Sequence, residues 1–414
     1  MSNSPRIFRN KAASAWAIIG MCLPMGSLLR AASFASRIAD SETVGINVIS
    51  SIGEVFESTA GQGLKGGFGY GMEVDSIFDS NFFLTESNPA SELNVNYLPS
   101  ISYGTDPEGG ADISFTANYR PVIRTYLENS NLNGVDQSGD VSMKIEGSKT
   151  VISSHIQYDQ SSGVDRIIGK FVNETLFSAG VEGSYQIAPR TSLSASLTAS
   201  ISDYDNNSIV GSDIYTAYIC GYWSATERFS VGPAIRYSTA KSNNTGTRDS
   251  RELLIQAQYR LREKIQFAAA LGVEYATNSR DEGNGSVGLT GNISAIYAIS
   301  EKIRWISSVR YITVPSPSDV NYVINNLMIS TALNRQLLRG SVGFGLDLNI
   351  ANYEQVGTAS TTLKDNNNMG VFLSYDRKLL MERLDFQSRI IYAINHGQEN
   401  WSQVQVSIGL GVQF

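Results

Sequence analysis

Apolar residues fall on every second position of this chain, segment after segment, from about residue 66 to the end. The last segment shows the pattern plainly. Val404, Val406, Ile408, Leu410, Val412 and Phe414 alternate with Gln405, Ser407, Gly409, Gly411 and Gln413. A period of two belongs to a β-strand and sorts side chains onto two faces of unlike polarity. Strands are predicted at 66–78, 92–104, 111–123, 139–147, 151–159, 174–187, 191–202, 214–223 and 228–238. The series continues at 251–261, 264–275, 286–299, 302–312, 323–333, 338–349, 368–376, 383–393 and 403–414. That makes about eighteen strands, or sixteen to eighteen once boundary error is allowed.

So many two-faced strands in one chain predict an all-β fold: a transmembrane, antiparallel, up-and-down β-barrel. One face meets hydrocarbon and the other water. The ending also resembles the C-terminal signal by which bacterial outer-membrane barrels are recognised for insertion. Val406, Ile408, Leu410 and Val412 lead up to a terminal Phe414. That resemblance implies the barrel-assembly machinery and outer-membrane lipid as partners.

The connections are expected to alternate in length. Short turns are predicted at Thr105 to Gly110, Ala188-Pro189-Arg190 and Ser300-Glu301. Long polar loops are predicted at 124–138, 160–173, 203–213, 238–250, 276–285, 312–322 and 350–367. Short periplasmic turns and long extracellular loops are the outer-membrane arrangement. Tyrosines follow the same geometry. Tyr158, Tyr237, Tyr275, Tyr311 and Tyr392 lie near long-loop ends, and Tyr103, Tyr185, Tyr259, Tyr297 and Tyr375 near short-turn ends, all on the apolar parity. Two such rows form interfacial girdles, where an apolar ring with a polar tip is most stable.

The opposite parity predicts a water-facing lumen. Its candidate pore-lining residues are Arg120, Lys144, Glu146, Arg236, Glu274, Arg304, Arg310, Asp347 and Arg389. Hydroxyls and amides accompany them, including Ser114, Thr116, Asn118, Gln256 and Gln258. Arg236, Arg304, Arg310 and Arg389 either contact an anionic cargo or pair with Glu252, Glu274, Asp347 and Asp385. An eighteen-stranded barrel is wide enough to hold water unless something fills it.

Upstream of the strands, Arg6, Arg9 and Lys11 precede an apolar run from Ala12 to Leu29. This is the layout of a secretory signal peptide, with cleavage after Ala35. A spanning helix is disfavoured because Pro24, Gly26 and Arg30 shorten the run below the roughly 20 residues a span needs. Met21, before Cys22, stands where a lipoprotein signal needs a small residue. The expected division is a signal peptide at 1–35, a periplasmic or luminal segment at 36–65, and the barrel at 66–414. Val48, Ile49, Ile52, Val55 and Phe56 fit one face of a short amphipathic helix. It reads as a plug or docking segment, or as a poorly ordered leader.

Charge narrows the partners. Residues 1–35 hold four of the 32 basic residues and none of the 39 acidic ones, leaving 28 against 39. That acidic balance argues against nucleic acid. Cys220 is the one cysteine beyond the signal, so an internal disulfide and zinc–cysteine sites are excluded. The two histidines, His155 in a strand facing the lumen and His396 in the loop before the last strand, sit in no nucleophile motif. Asp203, Asp205, Asn207 and Asp213 faintly resemble a calcium loop, but the glycine at its sixth position and the closing Glu are missing. No catalytic residue, metal site or cofactor is expected.

One stretch carries a family resemblance. Phe78-Asp79-Ser80-Asn81-Phe82-Phe83-Leu84-Thr85 follows a Gly/Tyr-rich strand, Gly66 to Val74. A strand with a central Pro99 comes next, Leu93 to Ile101, and then the Tyr/Asn/Asp-rich stretch Tyr126 to Asp136. This order resembles an outer-membrane β-barrel porin family whose members are often encoded in exopolysaccharide gene clusters. The tandem Phe82-Phe83 departs slightly from the family form. The resemblance implies a pore for secretion of a polysaccharide, working with a periplasmic polysaccharide-export protein and a glycan cargo. The alternative is a general or solute-specific diffusion porin. An enzyme or adhesin mounted on a barrel is the third reading.

Overall fold

A computed structural model describes residues 67–105, 113–165, 170–205, 211–242, 246–261, 264–279, 285–315, 322–355, 365–379, 384–397 and 400–414. The first six strands are β1 (Gly67–Asp79), β2 (Glu92–Gly104), β3 (Ile113–Tyr126), β4 (Gly134–Glu146), β5 (Thr150–Asp165) and β6 (Lys170–Ala188). The next six are β7 (Thr191–Tyr204), β8 (Ser212–Thr226), β9 (Phe229–Ser242), β10 (Gly246–Leu261), β11 (Ile265–Asn278) and β12 (Gly285–Ser300). The last six are β13 (Ile303–Pro315), β14 (Tyr322–Leu337), β15 (Gly340–Gln355), β16 (Asn366–Leu379), β17 (Leu384–His396) and β18 (Trp401–Gln413). Every strand pairs antiparallel with its neighbours in sequence, and β1 also pairs with β18. The eighteen strands therefore close into a barrel, which removes both sheet edges.

All eighteen strands expected from the periodicity are present, but their loop-side ends run further than expected. The predicted loops 160–173, 238–250 and 350–367 shrink to the gaps 166–169, 243–245 and 356–365 between strands. His396 ends β17 instead of lying in a loop. The reason is physical. Above the apolar band both faces meet water, so the two-residue alternation fades while the antiparallel hydrogen-bond ladder continues. The other end is tighter. Pro189-Arg190, Glu227-Arg228, Glu301-Lys302 and Leu338-Arg339 each join two strands directly. The expected signal peptide and the amphipathic segment at 40–65 lie outside the described residues.

The apolar parity faces outward. On it, Phe68, Ile255, Val287 and Leu289 are each at least 65% exposed. No soluble chain gains by wetting such side chains all around its circumference. On β18 the expected insertion face is apolar and open, with Ile408, Leu410 and Phe414 exposed and Val406 and Val412 half-buried. Aromatics gather on this face toward the turn end. Phe68 and Tyr103 stand 4.9 Å apart between ring centres, Phe229 and Tyr259 6.3 Å, and Tyr375 and Phe386 6.2 Å. Toward the loop end, Tyr237, Tyr275 and Tyr392 are exposed on the same face.

Candidate functional site

Polar side chains on the other parity meet across the concave interior, which identifies the lumen. Thr290 of β12 reaches Glu252 of β10 over the intervening strand, with its hydroxyl 3.4 Å from the carboxylate. The lining differs from one side of the barrel to the other.

From β8 to β12 the wall is closed. Arg236 and Glu252 approach to 3.2 Å, and Arg248 and Glu274 to 2.7 Å, with Arg248 and Glu274 each about 7% exposed. The Arg236 guanidinium also stands 5.8 Å above the Tyr218 ring. Gln256 accepts a hydrogen bond from Tyr222 and donates one to Tyr218, while the Cys220 thiol lies 3.6 Å from its amide oxygen. The Gln256 contacts skip β9, and at Gly232 of β9 and Gly272 of β11 the neighbouring strand's backbone comes too close for any side chain. A Cβ on Gly232 would fall 1.5 Å from the Gly221 carbonyl oxygen, and one on Gly272 2.0 Å from that of Leu253. Buried charges are tolerated only when paired and hydrogen-bonded, and here they are.

The wall from β3 to β5 is open. Thr116, Asn118, Arg120, Lys144, Glu146 and His155 are all exposed on the lumen parity. Asn118 donates to both Asp140 oxygens, at 3.2 and 3.0 Å, and Lys144 pairs with Glu146 two residues along its own strand. These groups face water, so a passing solute can exchange with it at little cost.

The expected pore-lining residues are therefore all inward, in unlike surroundings. Arg120, Lys144 and Glu146 are exposed, as is Arg304 near the turn end of β13. Arg310 is half-buried and Asp347 buried. Arg389 lies 4.8 Å above the ring of Phe372, a cation–π contact over an inward-facing aromatic. Arg236 pairs with Glu252, as one of the two sequence readings expects. Glu274 instead takes Arg248, which that reading passed over. Of the acidic stretch at 203–213, Asp205 accepts from the Asn173 backbone at 3.0 Å, so it ties the loop-side end of β7 to β6. Among the described residues no group of three or more His, Cys, Asp or Glu gathers in a metal-ligating cluster.

The loop-end mouth carries the site that sequence reasoning missed. Asp79 accepts from the Asn81 backbone at 2.9 Å and from the Gln403 side chain at 2.6 Å. Asn81 in turn donates to the carbonyls of Thr85 and Ser402, at 2.9 and 3.0 Å. This fixes the β1–β2 connection against β18. Leu84, in the left-handed region at φ 53°, is buried against Ala393 and Trp401, with Val164 of β5 packed on the same cluster. β5 and β18 are separated along the wall by four strands, so Val164 and Phe171, at the loop-side ends of β5 and β6, meet the β1–β2 connection across the mouth. Phe82, Tyr126 and Phe171 complete the bridge, with ring centres 5.3 to 6.3 Å apart. Asp136 fastens it, bound by Arg124 at 2.6 Å and by the Ser162 backbone and hydroxyl at 3.1 and 2.8 Å. Glu92 pins the next connection by accepting from the backbone of Leu127, Glu128 and Asn129. The visible signal was a run of three apolar residues, Phe82-Phe83-Leu84, inside a polar loop.

No model of a known protein family matches the chain, and no curated protein matches it either. Solved structures of similar shape exist. The outer membrane protein OpdK from Pseudomonas aeruginosa superposes with a TM-score of 0.46 at 12% identity, covering 84% of this chain and 99% of that one. OccK2 (OpdF) from Pseudomonas aeruginosa, in complex with glucuronate, gives 0.46 at 10% identity, covering 85% and 100%. The siderophore receptor PirA from Pseudomonas aeruginosa gives 0.41 at 9%, covering 84% and 81%. At these values the likeness assigns no function. What the chain can do follows from its own lining.

Proposed function

We propose that this chain is an outer-membrane channel through which small polar solutes diffuse. The carrying observation is the inversion of polarity around a closed eighteen-stranded barrel, apolar outside and polar inside. Only a bilayer satisfies such an exterior, and barrels of sixteen to eighteen strands leave an aqueous path. The exposed ladder on β3–β5 supplies that path with weak, exchangeable contacts, which conduction favours. The bridge over the mouth narrows the entrance and makes the channel a filter for size. Phe414 and the apolar positions before it support delivery by the barrel-assembly machinery. No residue is given a catalytic role.

Polysaccharide export rests on the motif resemblance at 66–136 alone, and the geometry adds nothing to it. Diffusion needs no dedicated partner. Purified protein in a planar bilayer tests it. Steady ohmic conductance without added protein or glycan is the expected result, and a bilayer left silent by correctly folded protein refutes the channel.

A further inference from the structure

We propose that the turn-end rim of the barrel, at Arg335 of β14 and Arg377 of β16, binds the phosphate of an anionic phospholipid in the adjoining leaflet. The proposal rests on the outer-membrane reading above and adds a lipid site to it.

The outward parity sorts its charges by height. At the loop end it carries both signs, Asp203, Asp213, Asp249 and Glu354 with Lys241 and Arg251. At the turn end, among the described strand residues, it carries Arg335 and Arg377 alone. Register gives their setting. From the apolar band toward the turns, β14, β15 and β16 present the row Leu333, Phe344 and Leu373, then Arg335, Val342 and Tyr375, then Leu337, Gly340 and Arg377. The arginines therefore flank β15 diagonally, at the height of the aromatic pair Tyr375 and Phe386. Between them stand only Val342 and Gly340, so no long side chain separates the two cations.

Both arginines are exposed, and among the described residues neither guanidinium has an ion pair or hydrogen bond. The nearby acids are engaged elsewhere. Asp376 and Asp385 lie on the inward parity, where Asp376 accepts from Ser341 at 3.0 Å and Asp385 is the direct partner of Lys378. Glu301 adjoins Lys302, and the connection 380–383 holds one acid and one base, Glu382 and Arg383. Exposed Arg339, in the turn between Arg335 and Arg377, adds a further cation. An arginine at this height lays its aliphatic stem on the apolar wall and sends its guanidinium to the headgroups. Its planar fork matches phosphate, and basic clusters at this depth attract anionic lipid.

The test is native mass spectrometry of the folded full chain in non-ionic detergent, titrated with phosphatidylglycerol or with phosphatidylcholine of the same acyl chains. Phosphatidylglycerol should bind on the order of tenfold more tightly, from the attraction of each basic side chain for an anionic headgroup. Arg335→Gln with Arg377→Gln should bring the ratio close to one, and either single variant should lose part of it. Arg335→Lys with Arg377→Lys should keep most of it, and Arg251→Gln at the loop end should change nothing. Equal affinities in the wild-type chain, or a preference that survives the double Gln variant, overturn the site. Displacement of the lipid by excess inorganic phosphate overturns lipid as its occupant in favour of a free anion. Insertion into phosphatidylcholine vesicles, read as protection of the strands from protease, keeps the two readings apart. A chain that inserts without a lipid preference overturns this site alone. One that does not insert overturns the outer-membrane reading and the site with it.

Discussion

The walls of the lumen formed by β8–β12 and by β3–β5 are built from the same residue types, in the same fold, with opposite outcomes. On the first, arginine, glutamate, tyrosine and glutamine consume one another's hydrogen-bonding capacity and exclude water. On the second, arginine, lysine, glutamate and asparagine stay exposed. What differs is the room left by small neighbours. Gly232 and Gly272 put no side chain between strands whose polar groups meet across them, which alternation of polarity alone does not reveal. One wall acts as structure and the other as solvent contact.

The largest effect should come from breaking a buried pair. Arg248→Met strands Glu274 in a site about 7% exposed, and should cost about 3–5 kcal/mol in urea unfolding from lipid or detergent. Adding Glu274→Leu should restore most of it, because a buried pair replaced by apolar groups of similar size is often neutral. Failure of that rescue would mean that the closed wall holds more than a pair of charges. Next in size is Gly272→Ala. Its methyl group would overlap the Leu253 carbonyl, an overpacking cost of about 1–3 kcal/mol. Gly288→Ala, inward on β12 with nothing within 4 Å of the added carbon, is the matched control and should be near neutral. Equal losses at the two glycines would refute the account of room. The smallest stability effect belongs to the open wall. Lys144→Met removes a pair whose side chains are 48% and 57% exposed, worth under about 1 kcal/mol, and should leave the unfolding midpoint almost unchanged while altering single-channel conductance.

Strand number and closure were legible because parity along a strand is a local property. Partner choice was not. Arg236 and Glu252 are direct partners across β9 and β10, so a reading of facing positions could suggest them. Arg248 lies diagonally from Glu274, and only the register of β10 on β11 brings the two together. Tyr218 and Tyr222 stood on the polar parity either side of Cys220, a visible departure from the girdle rows that went unread. The mouth was hidden for another reason. Leu84 meets Trp401 and Val164 from distant parts of the chain, and no local pattern reports such a meeting.

The clasp of Asp79 and Asn81 on β18 bears on how the molecule is completed. β1 and β18 are the last strands able to join, since their partners lie more than 320 residues apart in sequence. A slip of two residues at that joint would keep every side chain on its proper face, and the inward Ser407, Gly409 and Gly411 are too small to resist it. The polar side chains at the loop end do discriminate, because a shifted β18 would carry Gln403 and the Ser402 carbonyl away from Asp79 and Asn81. The motif noticed first for its family likeness thus works as a keyed fastener, admitting one alignment of the chain's two ends and rejecting the near misses.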